Sequence, residues 1–360
     1  MLSRNTRTPD PASTLTTPCS LFPEQNTLFP ERDAPRSTGL IGIAKLAAQS
    51  GLLLSKRTVE YRSLPVRSYI GRCGNPELPF EWTLNPYRGC EYGCKYCYAR
   101  YSHEFMELRN GDDFETHIFA KEWNRTAFAA ELRRIPHGQC IAIGTVTDPY
   151  QPAERRYGIT REMLEAFCEN STHRRLWITT KSDLAARDAD LFAAIAAKQN
   201  DVSVNITITT LDTELARELE PFAPRPDLRL DAVRTLAKAG VNVCVNCSPL
   251  MPLINDSEEN IDAVARAARQ AGATAFWANV VFLKDCAKSV FFPYLREHRP
   301  HLLKRYQRQF QASSYLKGPY VEAIQDRVKR IEERHGFRSG PDRRTHAPSL
   351  PQLSFQWDAG

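Results

Sequence analysis

Residues Tyr87–Arg100 read YRGCEYGCKYCYAR, three cysteines and four aromatic rings in fourteen positions. Cys90, Cys94 and Cys97 are close to one another and have no fourth thiol beside them; Cys73 is seventeen residues upstream. A structural zinc site takes four protein ligands. An iron–sulfur cube held by three thiolates instead leaves one iron open to a substrate or cofactor. Either reading requires reduced thiols. Ten cysteines in 360 residues are too few for a disulfide-stapled secreted domain. The opening residues, MLSRNTRTPDPASTL, lack the apolar core of a secretory signal. The most apolar stretch, GLIGIAKLAAQSGLLL (39–54), is interrupted by Lys45, Gln49 and Ser50 and is short for a bilayer span. The expectation is a soluble, cytoplasmic protein without membrane association, in which clustered cysteines bind metal or react.

On either side of the triplet the chain alternates β-branched runs with amphipathic stretches, the pattern of a parallel α/β sheet. EWTLNP (81–86) precedes the cysteines. CIAIGTVTDP (from 140), RLWITTK (from 175), VSVNITITT (from 202), VNVCVNCSPL (from 241) and AFWANVVFL (from 275) follow. Helical candidates lie between them, among them TREMLEAFCEN (from 160), LDAVRTLAKAG (to 240) and SEENIDAVARAARQAG (257–272), the last opening on a capping Ser and closing on Gly. Six βα units are too few for a closed eight-stranded barrel and enough for an open, partial one. Chemistry in such sheets sits at the C-terminal ends of the strands. The predicted organisation is a largely disordered segment 1–60 with a short helix, a partial-barrel domain 61–283, a helical basic extension 284–338 and a disordered tail 339–360.

The triplet CEYGCKYC, with Tyr96 just before its last cysteine, resembles the Cys-x3-Cys-x2-Cys motif of radical S-adenosylmethionine enzymes, and it sits where they have it, after the first strand. NPYRGCEYGCKYCYAR, TDPYQPAERRYGITREMLEAF, ITTK and LEPFAPRPDLRLDAVRTLAKAG are most similar to the spore photoproduct lyase-related, DNA repair photolyase-like group. The likeness runs from about Trp82 to Leu283. It implies a partial (βα)6 TIM-like barrel in which Cys90, Cys94 and Cys97 hold a [4Fe-4S] cluster. The open iron of that cluster would chelate the amino and carboxylate groups of S-adenosylmethionine. One electron would cleave the cofactor to methionine and a 5′-deoxyadenosyl radical that takes a hydrogen atom from substrate. A small reductant such as flavodoxin or ferredoxin would supply the electron.

Further site residues follow at the same sheet edge. Thr147 and Asp148 match the Thr/Ser-Asp pair that ends the second strand in the lyases, where a carboxylate can accept from the cofactor ammonium; the plainer reading is an Asp-Pro turn. Lys181 ends the third strand and is expected to meet the cofactor carboxylate. Asn205, Thr207 and Thr209 alternate with isoleucines, so they share one face, expected either to line the barrel interior and bond ribose or methionine groups of the cofactor or to be simple loop-end polarity. Tyr96 and Tyr98 match the tyrosines that assist hydrogen return in the lyases. The cysteine that returns the hydrogen does not match: its position is Thr145 here, and Cys140 lies at the far end of the strand. Cys244 and Cys247 are expected on opposite faces of one strand, with Cys247 nearer the site.

The formal charge of +6 is uneven. Between Lys284 and Arg344 fifteen Lys or Arg stand against seven Asp or Glu, so the extension is expected either to attract nucleic acid or to be a solvated helical face. Three readings stand: a radical enzyme acting on nucleic acid, one acting on a peptide or small metabolite, and a non-catalytic iron–sulfur or zinc protein.

Overall fold

All six β-branched runs form strands in the computed structural model, which describes residues 39–55, 59–76 and 78–337. Eleven strands are present among the described residues: β1 Leu52–Ser55, β2 Glu60–Leu64, β3 Ile70–Arg72, β4 Trp82–Leu84, β5 Tyr87–Arg88, β6 His117–Lys121, β7 Cys140–Ile143, β8 Arg175–Thr180, β9 Asp201–Thr207, β10 Asn242–Asn246 and β11 Ala275–Trp277. The larger sheet runs β11-β10-β9-β8-β7-β4-β3. Its first six members pair in parallel, and β3 closes the β4 edge antiparallel. The chain therefore builds an open, partial barrel of the expected class with one extra edge strand.

The register sorts the side chains. Leu176, Ile178, Val204, Ile206, Val243 and Val245 join a core with the covering helices. Asn205 pairs with Thr179 and Cys244, and Thr207 with Asn246, so these residues share the opposite, polar face. Helix Glu258–Gln270 behaves as its sequence predicts: the Ser257 hydroxyl accepts from the Asn260 N–H, and Ile261, Val264, Ala265 and Ala268 form its buried stripe.

Two features depart from expectation. A second sheet, β1-β2-β6-β5, precedes and flanks the cysteine loop. Its β1–β2 pairing spans residue 60, so the expected domain boundary there cuts through a paired hairpin. Within the stretch 39–54, helix Gly42–Ala48 and β1 take up the apolar residues; the disorder expected for 1–38 and for the tail from 339 lies outside the described residues. The C-terminal extension is also no mere neighbour of the barrel. Phe291, Tyr294 and Leu295 of helix Asp285–His298 and Leu302 and Tyr306 of helix Pro300–Gln309 share one core with Cys90, Tyr92, Cys94 and Tyr96. Their 3.6-residue spacing supplies an apolar stripe that the cysteine loop covers. No helix among the described residues is long and apolar enough to cross a membrane.

Candidate functional site

The cysteine loop is clamped from two sides. On the first, the Thr147 hydroxyl donates to the Gly89 carbonyl (2.5 Å), and the Gln151 amide donates to the same carbonyl (2.9 Å) and to Thr147 Oγ1 (3.0 Å). The Gln151 Oε1 accepts from the Glu91 N–H (3.1 Å), and the Tyr92 hydroxyl donates to the Tyr150 carbonyl (2.9 Å). On the second, the Lys95 N–H donates to the Leu219 carbonyl (2.9 Å) and the Phe222 N–H to the Tyr92 carbonyl (3.3 Å). Gly89 makes the entry possible. Its φ is +80°, and a Cβ there would stand 2.7 Å from the His117 carbonyl oxygen.

Cys90 and Cys94 are buried and Cys97 half-buried. Burial pushes all three thiols up, Cys94 to about 12; Asp148 adds to the effect at Cys90, whereas Lys181 opposes it at Cys94 and Cys97. Left to themselves these are neutral thiols, and metal ligation is what converts such groups to thiolates. No three of His, Cys, Asp and Glu among the described residues lie close enough to share one metal ion. Three local thiols with no fourth beside them are the donor set of an iron–sulfur cube that keeps one iron open.

Of the predicted residues, Thr147 bonds the loop directly, Lys181 stands beside Tyr96, and Thr209 meets the Glu220 that Tyr96 bonds. Asp148 is buried: Oδ1 accepts from the Thr180 hydroxyl (2.6 Å) and the Tyr150 N–H (2.9 Å), and Oδ2 from the Lys181 N–H (2.7 Å). These bonds make it a tie between the ends of β7 and β8. Burial nevertheless lifts its carboxyl above the usual range, against the pull of those donors. Lys181 stands with Nζ 5.6 Å from the centre of the Tyr96 ring. Burial alone would lower its ammonium; the neighbouring Cys94 and Glu220 outweigh that and raise it. Asn205 donates to the Ile178 carbonyl (3.0 Å), Thr207 is buried on the inner face, and the Thr209 hydroxyl, just past β9, bonds to Glu220 (3.3 Å). Beside Thr207, the buried Asn246 Oδ1 has no partner among the described residues, an acceptor left open on the polar face.

The two tyrosines differ. The Tyr96 hydroxyl is fully buried and bonded to the Glu220 carboxylate. Tyr98 is half-buried, its hydroxyl donating to the Thr145 carbonyl (2.5 Å). Its ring lies in a series Tyr101, Tyr98, Phe282, Tyr315 with centroid steps of 6.5, 4.9 and 5.4 Å. Cys140 begins β7 at the opposite end. Cys247 is buried in the helix-side core with its thiol on the Thr209 carbonyl, while Cys244 pairs with Asn205 on the polar side; the two do separate, but it is Cys244 that joins the polar face.

Glu220 and Arg229 are the residues sequence reasoning did not single out. Their ion pair (2.6 Å) is buried on both sides, and Arg229 also donates to the Thr207 carbonyl (3.0 Å). Burial would raise Glu220, but Arg229, Lys181 and the Tyr96 hydroxyl hold it below the usual carboxylate range. A signal was present: Arg229 occupies the apolar stripe Pro226, Leu230, Val233, Leu236 of its helix, where an unpaired guanidinium would be costly.

The family model described as the radical SAM superfamily matches residues 84–265. The chain belongs to the radical SAM superfamily. Among its relatives is an uncharacterised protein of Mycobacterium tuberculosis (strain ATCC 25618 / H37Rv), 34% identical over 276 residues, which are 76% of this chain and 79% of the relative. A second, from Methanocaldococcus jannaschii, is 33% identical over 180 residues, 49% of this chain and 63% of that one. Among solved structures, spore photoproduct lyase complexed with dinucleoside spore photoproduct aligns with a TM-score of 0.58 at 16% identity, covering 76% of this chain and 79% of the lyase. That likeness establishes the shared fold. The chain is thus a radical SAM enzyme whose triplet, two clamps and polar sheet face converge at the C-terminal ends of the strands.

Proposed function

We propose that Cys90, Cys94 and Cys97 hold a [4Fe-4S] cluster beside bound S-adenosylmethionine and that the enzyme abstracts a hydrogen atom from a nucleic-acid substrate. When bound, cluster and cofactor together supply one-electron cleavage of the sulfonium and a carbon radical. The chain's own part is placement. The tie from Asp148 to Thr180 and Lys181 fixes the ends of two strands, which sets Lys181 to receive a carboxylate and leaves the Asn205–Thr207–Asn246 face to bond the rest of a polar cofactor. The C-terminal helices wall the loop with apolar side chains and keep water from it. The observation that carries the reading is the loop itself: two buried thiols and a half-buried third, clamped on both sides, at the catalytic edge of the sheet.

The nucleic-acid part is supported by chemistry near that edge. The half-buried rings of Tyr98, Phe282 and Tyr315 offer the kind of aromatic series on which bases stack, and exposed cations lie on the C-terminal helices. The test is anaerobic reconstitution followed by product analysis. Wild-type protein should take up about four irons per chain, and Cys97→Ala should lose the cluster. Deoxyadenosine yield should rise when single-stranded or duplex nucleic acid is added. One zinc and no iron would refute the cluster, and a yield that responds only to peptides or small molecules would refute the substrate class.

A further inference from the structure

Beside the cysteine loop the chain collects positive charge that its own acids do not cancel. Arg88, two residues before Cys90, pairs with Phe119 of β6, and Lys121 lies two residues further along that strand, so the two cations share one face of the small sheet as diagonal neighbours. Lys121 is buried, and among the described residues its ammonium reaches only the Tyr69 carbonyl. Lys284, at the entry to helix Asp285–His298, stands with Nζ 3.8 Å from the centre of the Tyr101 ring. Neither lysine forms an ion pair among the described residues. Tyr101 joins the two sides, since Lys284 lies over its ring and Arg88 is within electrostatic reach of its hydroxyl. That side chain is 6% exposed, yet its hydroxyl has no hydrogen-bond partner among the described residues. The acids that act on the lysines do so singly, Glu131 on Lys121 and the exposed Glu104 on Lys284, and Glu131 is already held by the Tyr69 and Ile70 N–H groups. A buried ammonium without a counter-ion lowers stability, and an unmet hydroxyl adds to the cost. An anion arriving from outside offsets both, and the half-buried Arg88 and Lys284 open the group to it.

We propose that Arg88, Lys284 and the Tyr101 hydroxyl, together with the buried Lys121, receive a phosphodiester of a nucleic-acid strand whose base stacks in the neighbouring Tyr98–Phe282 series. The proposal rests on the nucleic-acid reading above and adds where the backbone is held. The donor set is the first argument: a guanidinium fork matches two phosphate oxygens, an ammonium adds a point charge and a phenol O–H donates a further bond. Charge is the second, because three cations against the two acids named leave one positive charge, which the single negative charge of a diester cancels. Burial and then Arg88 lower the Lys121 ammonium to about 7, with Glu131 opposing, and a bound anion would hold it charged. Position is the third. Tyr101 stacks 6.5 Å from Tyr98, whose hydroxyl ends on the Thr145 carbonyl after β7, so a strand held at Tyr101 presents its neighbouring base to the catalytic edge. The cofactor carboxylate does not compete for the group, since Lys181 beside Tyr96 is its cation.

The experiment uses the full-length, reconstituted protein, with iron content measured on every variant, and follows binding by fluorescence anisotropy. The probes are a short single-stranded deoxyoligonucleotide with natural linkages, the same oligomer with one uncharged methylphosphonate linkage placed at each position in turn, and a 5′-mononucleotide. Wild type should bind the natural oligomer about tenfold tighter than one of the methylphosphonate oligomers, the value of a charge-assisted contact. Lys284→Gln and Tyr101→Phe should each weaken binding of the natural oligomer and leave that one methylphosphonate oligomer unaffected, because protein and probe changes remove the same contact. A merely structural role would weaken both oligomers alike. Lys121→Met removes a buried charge while keeping its volume, and it carries the test if Tyr101→Phe loses iron. No preference for a charged linkage in the wild type, or equal losses on both oligomers in the variants, overturns the site. A mononucleotide bound as tightly as the natural oligomer assigns the group to a terminal phosphate, and a loss confined to S-adenosylmethionine affinity assigns it to the cofactor carboxylate; each overturns the proposal. Wild type that binds none of the oligomers removes the nucleic-acid reading itself, and the site with it.

Discussion

Glu220 shows how much of the site depends on one carboxylate. It accepts from Tyr96 and Thr209, pairs with Arg229 and lies within electrostatic reach of Lys181. Removing its charge leaves Arg229 buried and unbalanced, which costs about 3–5 kcal/mol in comparable sites. Glu220→Gln should therefore lower the thermal midpoint sharply. The double variant Glu220→Leu with Arg229→Met should be less destabilised than Glu220→Gln alone, because the orphaned charge goes as well. A double variant worse than the single would show that the carboxylate acts through its bonds to Tyr96 and Thr209 rather than through the ion pair. The cysteines were legible in the sequence because their spacing is local. Glu220 was not, because its partner Tyr96 lies 124 residues away in the chain, and only the fold sets that distance to a hydrogen bond. Tyr96 was legible as a position, but its hydroxyl is committed to Glu220, which leaves Tyr98 as the tyrosine that reaches Thr145.

At the scale of elements, the six parallel strands were readable because each lies in an apolar run that alternates with helical stretches along the chain. The small second sheet was not. β5 has two residues, and β6 (HIFAK) shows no alternation, being buried at four consecutive positions. It exists because β2 and β6, far apart in sequence, pair in parallel. Two expected outcomes belong here. Gly89→Ala puts a Cβ against two backbone carbonyls in a left-handed conformation. It should cost about 1–3 kcal/mol and reduce iron uptake, since the strain falls on the residue before Cys90; unfolding midpoints and iron content check both. Lys121, at the end of β6, is buried, and among the described residues its ammonium makes only a long contact (3.4 Å) to the Tyr69 carbonyl. Burial and then Arg88 lower its pKa from 10.5 to about 7, with Glu131 opposing. Between these values the unfolded chain holds a proton that the folded chain lacks, so stability rises with pH across the window by up to about 1.4 kcal/mol per unit. Lys121→Met should remove that slope, being more stable than wild type near pH 7 and losing the advantage toward pH 10. Parallel denaturant midpoints for the two proteins across that range would refute it.

For the whole molecule, the C-terminal helices have two faces with separate duties. One is core to the cysteine loop, through Phe291, Tyr294, Leu295, Leu302 and Tyr306. On the other, Lys304, Arg305, Arg308, Lys329 and Arg330 are exposed and form no ion pair among the described residues, whereas Arg334 is bound to Glu258 and Asp262 and Arg327 to the Asp256 carbonyl. The charge excess was visible in the sequence; which cations remain free was not, because that depends on acids contributed by helix Glu258–Gln270. The arrangement lets charge be changed without touching the core. Reversing Lys304, Arg305 and Arg308 to Glu alters only the outer face of one helix, so cluster content and cofactor cleavage without substrate should hold. If these residues contact phosphates, each releases a counterion, and log K should fall with log salt by about 0.9 per contact on duplex and 0.7 on a single strand. The triple reversal should then flatten the slope by about 2 on single strands and weaken binding most at low salt. Equal slopes for wild type and variant would reduce this face to solvated charge and take away the electrostatic support for a nucleic-acid substrate, leaving the Tyr98–Phe282–Tyr315 series as the remaining argument for one.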